Sequence, residues 1–260
     1  MGQGILYIAT GTDYANQAII SARIAKKNTN YPVSIVSDQP ISDSVFDEVI
    51  LLKDPYYNFG DKILGMKKTP YEKTLFIDTD AYILDNISEL FGLLSGFDIA
   101  AAQSPHNWTA ETKNIRAGSI DDSLDALPDL NTGVIPYKMN DKTAYFLDKW
   151  DDFYQEQHPQ DQPTFVSALY DTGVDFVTLP RIYNYIHGYP SQVTEDVKII
   201  HDIEDMIQTD NLKSELDRIE SYLNATNSPR IVYHLGNPFV SSNMFLDLIR
   251  KAESLFRKKG

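Results

Sequence analysis

Asp78-Thr79-Asp80 stands where an apolar run, Thr74-Leu75-Phe76-Ile77, gives way to Ala81-Tyr82-Ile83-Leu84. Two carboxylates at i and i+2 on the end of a buried strand repel each other and lose hydration, a cost that a cation between them offsets. Oxygen ligands with room for retained water suit a hard divalent ion, and such an ion can hold a diphosphate.

The surrounding pattern supplies the elements that would position this pair. Ile5 to Ala9 reads as a strand, broken by Thr10-Gly11-Thr12-Asp13, and Ala15, Ala18, Ile19, Ala22 and Ala25 mark one face of a helix over Tyr14 to Lys27. Strands follow at Val33–Val36, Val49–Leu52 and Thr74–Ile77, with a short helix at Lys62–Lys68. Further on come a helix over Ile87–Leu94, a strand over Ile99–Ala102 and a long polar loop, His106–Asp129, of the kind that forms lids. Strands are expected at Val134–Tyr137, Phe176–Leu179, Val197–Ile200 and Ile231–Tyr233, and helices at Lys142–Gln157, Gln160–Tyr170, Leu212–Leu223 and Phe239–Arg257. Alternating strands and helices predict an α/β fold with a mostly parallel central sheet flanked by helices and a C-terminal helical extension. Ligands in such sheets bind beyond the carboxyl ends of the strands. Three successive ends carry polar groups: Thr10, Thr12 and Asp13; Ser37 and Asp38; Asp78 and Asp80.

Composition narrows the function classes. The chain has 260 residues and a net charge of −14, which argues against nucleic acid or an anionic membrane as the main partner. A phosphate-bearing ligand would need a bound metal and local Lys or Arg to reverse the field. There is no cysteine, so disulfides, thiolate zinc sites and cysteine nucleophiles are excluded. Met1-Gly2-Gln3-Gly4 has no signal-like character, Leu6 stands where myristoylation wants Ser or Thr, and no apolar run is long enough to span a membrane. A cytoplasmic location is expected, and the Asn107-Trp108-Thr109 and Asn224-Ala225-Thr226 sequons carry no weight.

The segment Lys73–Ala81, followed by Asn86-Ile87-Ser88-Glu89-Leu90-Phe91, resembles the DxD region of GT-A glycosyltransferases, and family 8, the glycogenin and galactosyltransferase-like enzymes, above all. Asp61-Lys62-Ile63-Leu64 is similar to the Lys-bearing helix before the DxD strand. Leu130-Asn131-Thr132-Gly133-Val134 is similar to the family's Asn-Ser-Gly strand, and Gln160-Asp161-Gln162 to its Asp-Gln helix start. Leu179-Pro180-Arg181-Ile182-Tyr183-Asn184 is similar to the segment ending in Tyr-Asn. The likeness runs from about residue 4 to residue 201, giving a GT-A core over 1–201 and an extension over 202–260 packed on the same domain.

The resemblance implies metal-dependent transfer of a hexosyl unit from a nucleotide diphosphate sugar, UDP-linked, to an acceptor it does not name, with retention. Asp78 and Asp80 would bind Mn2+ or Mg2+ and so neutralise the leaving diphosphate. The family's third ligand is a later histidine. His201 has the spacing from Tyr183-Asn184, whereas His234 precedes Leu235-Gly236-Asn237-Pro238 and leaves the family's His-x-x-Gly one residue short. Either histidine would favour Mn2+. The nucleoside belongs over the first strand ends: Thr10 and Thr12 on ribose or base edges, Asp13 accepting a base N–H or capping the helix, and Tyr14 stacking. Ser37 and Asp38 would touch base or ribose, or only form a turn. Thr79 lies between the metal carboxylates at the diphosphate. Lys62 would neutralise phosphate or contact the sugar, or be an exposed helix lysine. Asn131 and Asp161 would face the transferred sugar with Gln162 beside them, the polar group under the anomeric carbon acting as a nucleophile or as electrostatic support, and either role stabilises an oxocarbenium-like state; Asp161 is alternatively an N-cap. His106 and Trp108 would meet the acceptor or close a lid.

The family's Lys-Pro-Trp ending is absent, and Asp202–Asn224 is a polar, partly helical insert. Other readings are a non-catalytic binding module on the same scaffold and a haloacid dehalogenase-like Mg2+ phosphatase, in which Asp78 would be a nucleophile. Against the phosphatase, Tyr82 replaces its Thr or Val and a long strand-helix pattern precedes the motif. A nucleotidyltransferase would need a Gly-rich loop after the first strand, where Gly11 stands alone. The sequence does not set the oligomeric state.

Overall fold

The computed structural model describes residues 2–105, 128–157, 160–186, 191–193, 195–201, 212–224, 230–235 and 237–241. Its central sheet is a mixed one, parallel through its first half. It contains β1 (Gln3–Ala9), β2 (Val33–Ser37), β3 (Glu48–Leu51), β4 (Lys73–Ile77), β6 (Ile99–Gln103), β7 (Leu130–Asn131), β8 (Val134–Lys138) and β9 (Phe176–Leu179). The order is β3-β2-β1-β4-β8-β6-β7, with β9 also paired to β6. β3, β2, β1 and β4 run parallel, and β9 runs parallel to β6. β8 lies antiparallel between β4 and β6, in register Ile77↔Val134 and Ile99↔Tyr137. The α/β expectation, a mostly parallel sheet with helices on its faces, holds.

Alternation along each strand divides the core. Ile5, Tyr7, Ile35, Leu75 and Ile77 face the alanine stripe of α1 (Thr12–Asn28) and Leu90 and Phe91 of α3 (Ser88–Leu93). Ala is small and the best helix former, so its stripe lets α1 lie close to the sheet. On the other face Phe76, Ile135 and Tyr137 pack with Phe146, Trp150 and Tyr154 of α4 (Asp141–Gln157), Phe165 of α5 (Asp161–Thr172), and Ile63 and Met66 of α2 (Gly60–Met66). The aromatic cluster meets edge to face, with Trp150 and Phe165 centroids 4.8 Å apart at 74°.

Beyond β4 the chain forms a second, small sheet: β5 (Tyr82–Ile83), β10 (Tyr185–Ile186) and β12 (Ile199–His201), in order β10-β12-β5. β12 pairs antiparallel with β5, Ile200 opposite Tyr82. This pairing brings His201 to the strand that leaves Asp80. Helix α6 (Leu212–Leu223) buries Leu216 and Leu223 against Tyr82, Leu84 and Ile200. Asn224 accepts the Val197 N–H at 2.8 Å, which ties the end of that helix to the approach to β12.

Three sequence expectations change. The final helix over Phe239–Arg257 does not begin as one: β14 (Asn237–Ser241) pairs antiparallel with β13 (Arg230–Leu235), Tyr233 opposite Val240, and 242–260 lie outside the described residues. Backbone pairing beside an existing strand overrides a helical apolar period. The C-terminal part therefore contains a hairpin as well as a helix, and β13 also pairs with β11 (Ser191–Val193). Asp13 does not cap α1; Gly11 is the cap residue, and Asp13 sits exposed in the first turn. Asp161 is likewise the first residue of α5 and not its cap, which is Gln160.

Candidate functional site

β4 delivers Asp78 at the centre of the sheet edge, where its backbone N–H donates to Gly133 O at 2.8 Å. Thr79 is buried, its hydroxyl bound to Gln17 of α1. Asp80 follows, and β12 brings His201 opposite: Nε2 lies 3.3 Å from Asp80 and 3.8 Å from Asp78. Among the described residues, Asp78, Asp80 and His201 are a group whose ligand atoms all lie within 4.8 Å of one another. Two carboxylate oxygens and an imidazole nitrogen at that spacing fit one divalent ion. The side chain of His234 lies outside the described residues; its strand, β13, belongs to a different sheet from β12.

Gly133 makes this approach feasible. A methyl group at its Cα would stand 2.1 Å from His201 Cε1, so only glycine admits the ring. The imidazole Nδ1 meets Asn184 Oδ1 at 2.9 Å. Asn184 Nδ2 donates to Asn131 Oδ1 at 2.7 Å, and Gly133 N–H donates to the same oxygen at 2.9 Å.

Lys62 is not an exposed helix lysine. Its side chain is 10% exposed, with Nζ 3.2 Å from Asp78 and 3.1 Å from Asp161. It also donates to Thr132 O and Oγ1, each at 3.3 Å, and lies over the Phe76 ring. Burial alone would lower the Lys62 pKa, but Asp161 and Asp78 outweigh it and hold the ammonium charged. Asp161 Oδ2 takes the Thr132 hydroxyl at 2.6 Å as well as Lys62. Burial pushes the Asp78 carboxyl up, and repulsion from Asp80 adds to that against the pull of Lys62. For Asp80, burial pushes the same way, but His201 wins and holds it low. His201 is raised: burial works against its charged form, and the two aspartates overcome it.

Two cavities meet at this cluster. The larger, about 620 Å³, is lined by Thr10, Tyr14, Tyr57, Phe59, Asp61, Lys62, Phe76, Asp78, Thr79 and Asp80, among others. The smaller, about 280 Å³, is lined by Phe59, Lys62, Asp78, Asp80, Asn131, Gln160, Asp161, Gln162, Ile186 and His201. Phe59, Lys62, Asp78 and Asp80 form the wall they share. Of the residues singled out in the sequence, Thr10, Tyr14 and Thr79 border the larger cavity and Asn131, Asp161 and Gln162 the smaller. Thr12, Asp13, Ser37 and Asp38 lie outside both linings. Asp38 instead accepts Gly11 N–H at 3.0 Å and the Tyr57 hydroxyl at 3.3 Å, bracing the turn after β1, where Gly11 has φ 89°. Ser37 is buried beneath it. His106 and Trp108 lie outside the described residues.

Sequence reasoning missed Asp61, Tyr57, Thr132 and Asn184 as parts of the site. Asp61 is buried; its carboxylate accepts Tyr56 N–H at 2.7 Å, Tyr57 N–H at 2.9 Å and the Thr10 hydroxyl at 2.7 Å. It holds Tyr57 at a left-handed φ of 56° and presents an exposed ring to the larger cavity. A run of three aromatics, Tyr56-Tyr57-…-Phe59, just before the Lys62 helix was the available signal.

The fold is that of the GT-A glycosyltransferases, and not that of the haloacid dehalogenase-like phosphatases. Galactosyltransferase LgtC, solved with donor and acceptor sugar analogues, is similar at TM-score 0.55 and 12% identity, over 76% of this chain and 86% of that one. Mouse xyloside xylosyltransferase 1 is similar at TM-score 0.53 and 16% identity, over 80% and 100%. The glycosyltransferase GlyE of Streptococcus pneumoniae TIGR4 is similar at TM-score 0.54 and 15% identity, over 81% of this chain and 55% of that one. No protein-family model and no curated protein matches the sequence. Among the described residues, no helix is long and apolar enough to cross a membrane.

Proposed function

We propose that this protein is a divalent-metal-dependent glycosyltransferase that moves a hexosyl unit from a UDP-linked sugar to an acceptor, with retention. The observation that carries the reading is the convergence of Asp78, Asp80 and His201 where the two cavities meet, the aspartates lining both and His201 the smaller. Mn2+ bound there would supply Lewis-acid stabilisation of the departing diphosphate. The larger cavity takes the nucleoside, with Tyr14 and Tyr57 offering aromatic faces to the base and Thr10 and Thr79 polar edges. The smaller takes the sugar, with Gln162, Asn131 and Asp161 along it. Lys62 keeps a fixed positive charge between the two, where negative charge grows as the glycosidic bond breaks. Asp161, its Oδ2 shared by Lys62 and Thr132, acts as electrostatic support beneath the anomeric carbon.

The test is a thermal-shift panel of nucleotide sugars with and without Mn2+, followed by product analysis with the sugar that binds. UDP-sugars should raise the melting temperature only with Mn2+, by mass action on the native state. Asp78→Ala and Asp80→Ala should abolish both the shift and turnover while the protein stays folded. Full turnover in either variant would remove the assignment. A sugar nucleotide that binds with Mn2+ but is never transferred or hydrolysed would favour the binding-module alternative.

A further inference from the structure

The hydrogen bonds behind His201 admit one assignment of donors and acceptors. Gly133 N–H is a backbone donor and nothing else, so the Asn131 atom it meets at 2.9 Å is the amide oxygen. That oxygen also faces the Asn184 amide at 2.7 Å, which must therefore turn its NH2 toward it. The oxygen of Asn184 is then the atom 2.9 Å from His201 Nδ1, and an amide oxygen only accepts. Nδ1 must carry the proton. In the neutral ring Nε2 then bears a lone pair, aimed at Asp80 at 3.3 Å and Asp78 at 3.8 Å. A lone pair facing two carboxylates is poor pairing with nothing between them, and good ligation with a cation there. Asn131, Asn184 and His201 are 7%, 2% and 7% exposed, so water has little access to substitute for any link.

We propose that Asn131 and Asn184 form a relay, anchored on the Gly133 amide, that locks His201 as the Nδ1–H tautomer and so presents Nε2 to the metal. The inference rests on reading Asp78, Asp80 and His201 as the cation site. Asn184 is a positioning residue: it touches neither metal nor substrate and acts through the ring. Without it, Nε2–H becomes the preferred tautomer, because Asp80 is the remaining acceptor, and a protonated Nε2 cannot ligate.

The readout is the 15N spectrum of histidine-labelled full-length protein without metal, at alkaline pH where the ring is neutral, with His201 assigned by its loss in His201→Ala. Alongside it, Mn2+ affinity is measured by calorimetry on the metal alone. The wild type should show a protonated Nδ1 and a bare Nε2. Asn184→Leu should move the proton to Nε2 and weaken Mn2+ binding 10- to 100-fold, the usual range for losing such a partner. Asn184→Asp, which loses the donor to Asn131 but still accepts from Nδ1–H, should keep the wild-type tautomer. Should Asn184→Leu fail to fold, Asn131→Ala, which frees the Asn184 amide to rotate, carries the same two readouts. A wild type with Nε2–H, or an unchanged tautomer and affinity in Asn184→Leu, would overturn the relay. A wild type with Nδ1–H that binds no Mn2+ would overturn the cation-site reading and leave the tautomer assignment standing.

Discussion

Gly133→Ala tests the geometry of the site with one methyl group. The added carbon would lie 2.1 Å from His201 Cε1 and 2.8 Å from both ring nitrogens. Carbon atoms settle at about 3.5 Å or more, so the ring must retreat by about 1.4 Å. A shift of that size breaks the 2.9 Å contact with Asn184 and moves Nε2 out of the group it forms with the two aspartates. Overpacking of this kind costs about 1–3 kcal/mol of stability, and loss of ring orientation should cost at least tenfold in Mn2+ affinity, about 1.4 kcal/mol. Calorimetry with Mn2+ and thermal unfolding measure the two effects. Gly92→Ala is the internal control: its added methyl meets nothing within 4 Å beyond its chain neighbours and its own helix backbone, and in α3 it should be neutral or stabilising by up to about 1 kcal/mol. A Gly133→Ala protein with wild-type melting and wild-type Mn2+ affinity would refute the placement of His201 against Gly133.

Other expectations follow from neighbouring contacts. Lys62→Met leaves Asp78 and Asp161 facing each other without their shared cation and should cost about 3 kcal/mol; added Mn2+ should recover part of the loss in a thermal scan. Asp61→Ala frees the Tyr56 and Tyr57 amides. Their hydrogen exchange should accelerate and uridine-nucleotide affinity should fall, with unchanged exchange counting against a braced loop. Asp98 is a buried carboxylate that burial alone would raise, but Asn140, Lys138 and the Asp175 N–H together hold it below its usual range. Its folded pKa lies below the unfolded value of about 3.9, so its contribution is complete above that value and is lost as pH falls through the folded one. Asp98→Asn should therefore lower stability at neutral pH and flatten its decline below about pH 4, read from urea unfolding across pH.

Much of the frame is written locally. The Ile5–Ala9 run became Gln3–Ala9, the alanine stripe of Tyr14–Lys27 became Thr12–Asn28, and Thr74–Ile77 became Lys73–Ile77. In each, the period of apolar residues matches one geometry over enough residues to be read. The two-residue strands β5 and β10 had no such signal, since two residues carry no period and form only because β12 pairs with both. Phe239–Ser241 was misread for the same reason: its partner strand, not its own pattern, decides its state.

The sequence determined the chemistry available: an acidic pair closing a buried strand, a lysine in the helix before it, an Asn-Thr-Gly turn and two candidate histidines. Tertiary structure decided which of them meet. It set Lys62 between Asp78 and Asp161, tied Asp38 to the Gly11 amide, and placed His201 against Gly133 with Asn184 behind it. These partners are separated by tens of residues along the chain. Their spacing depends on strand register and on the volume a missing Cβ leaves, and neither quantity is encoded in any single stretch of residues.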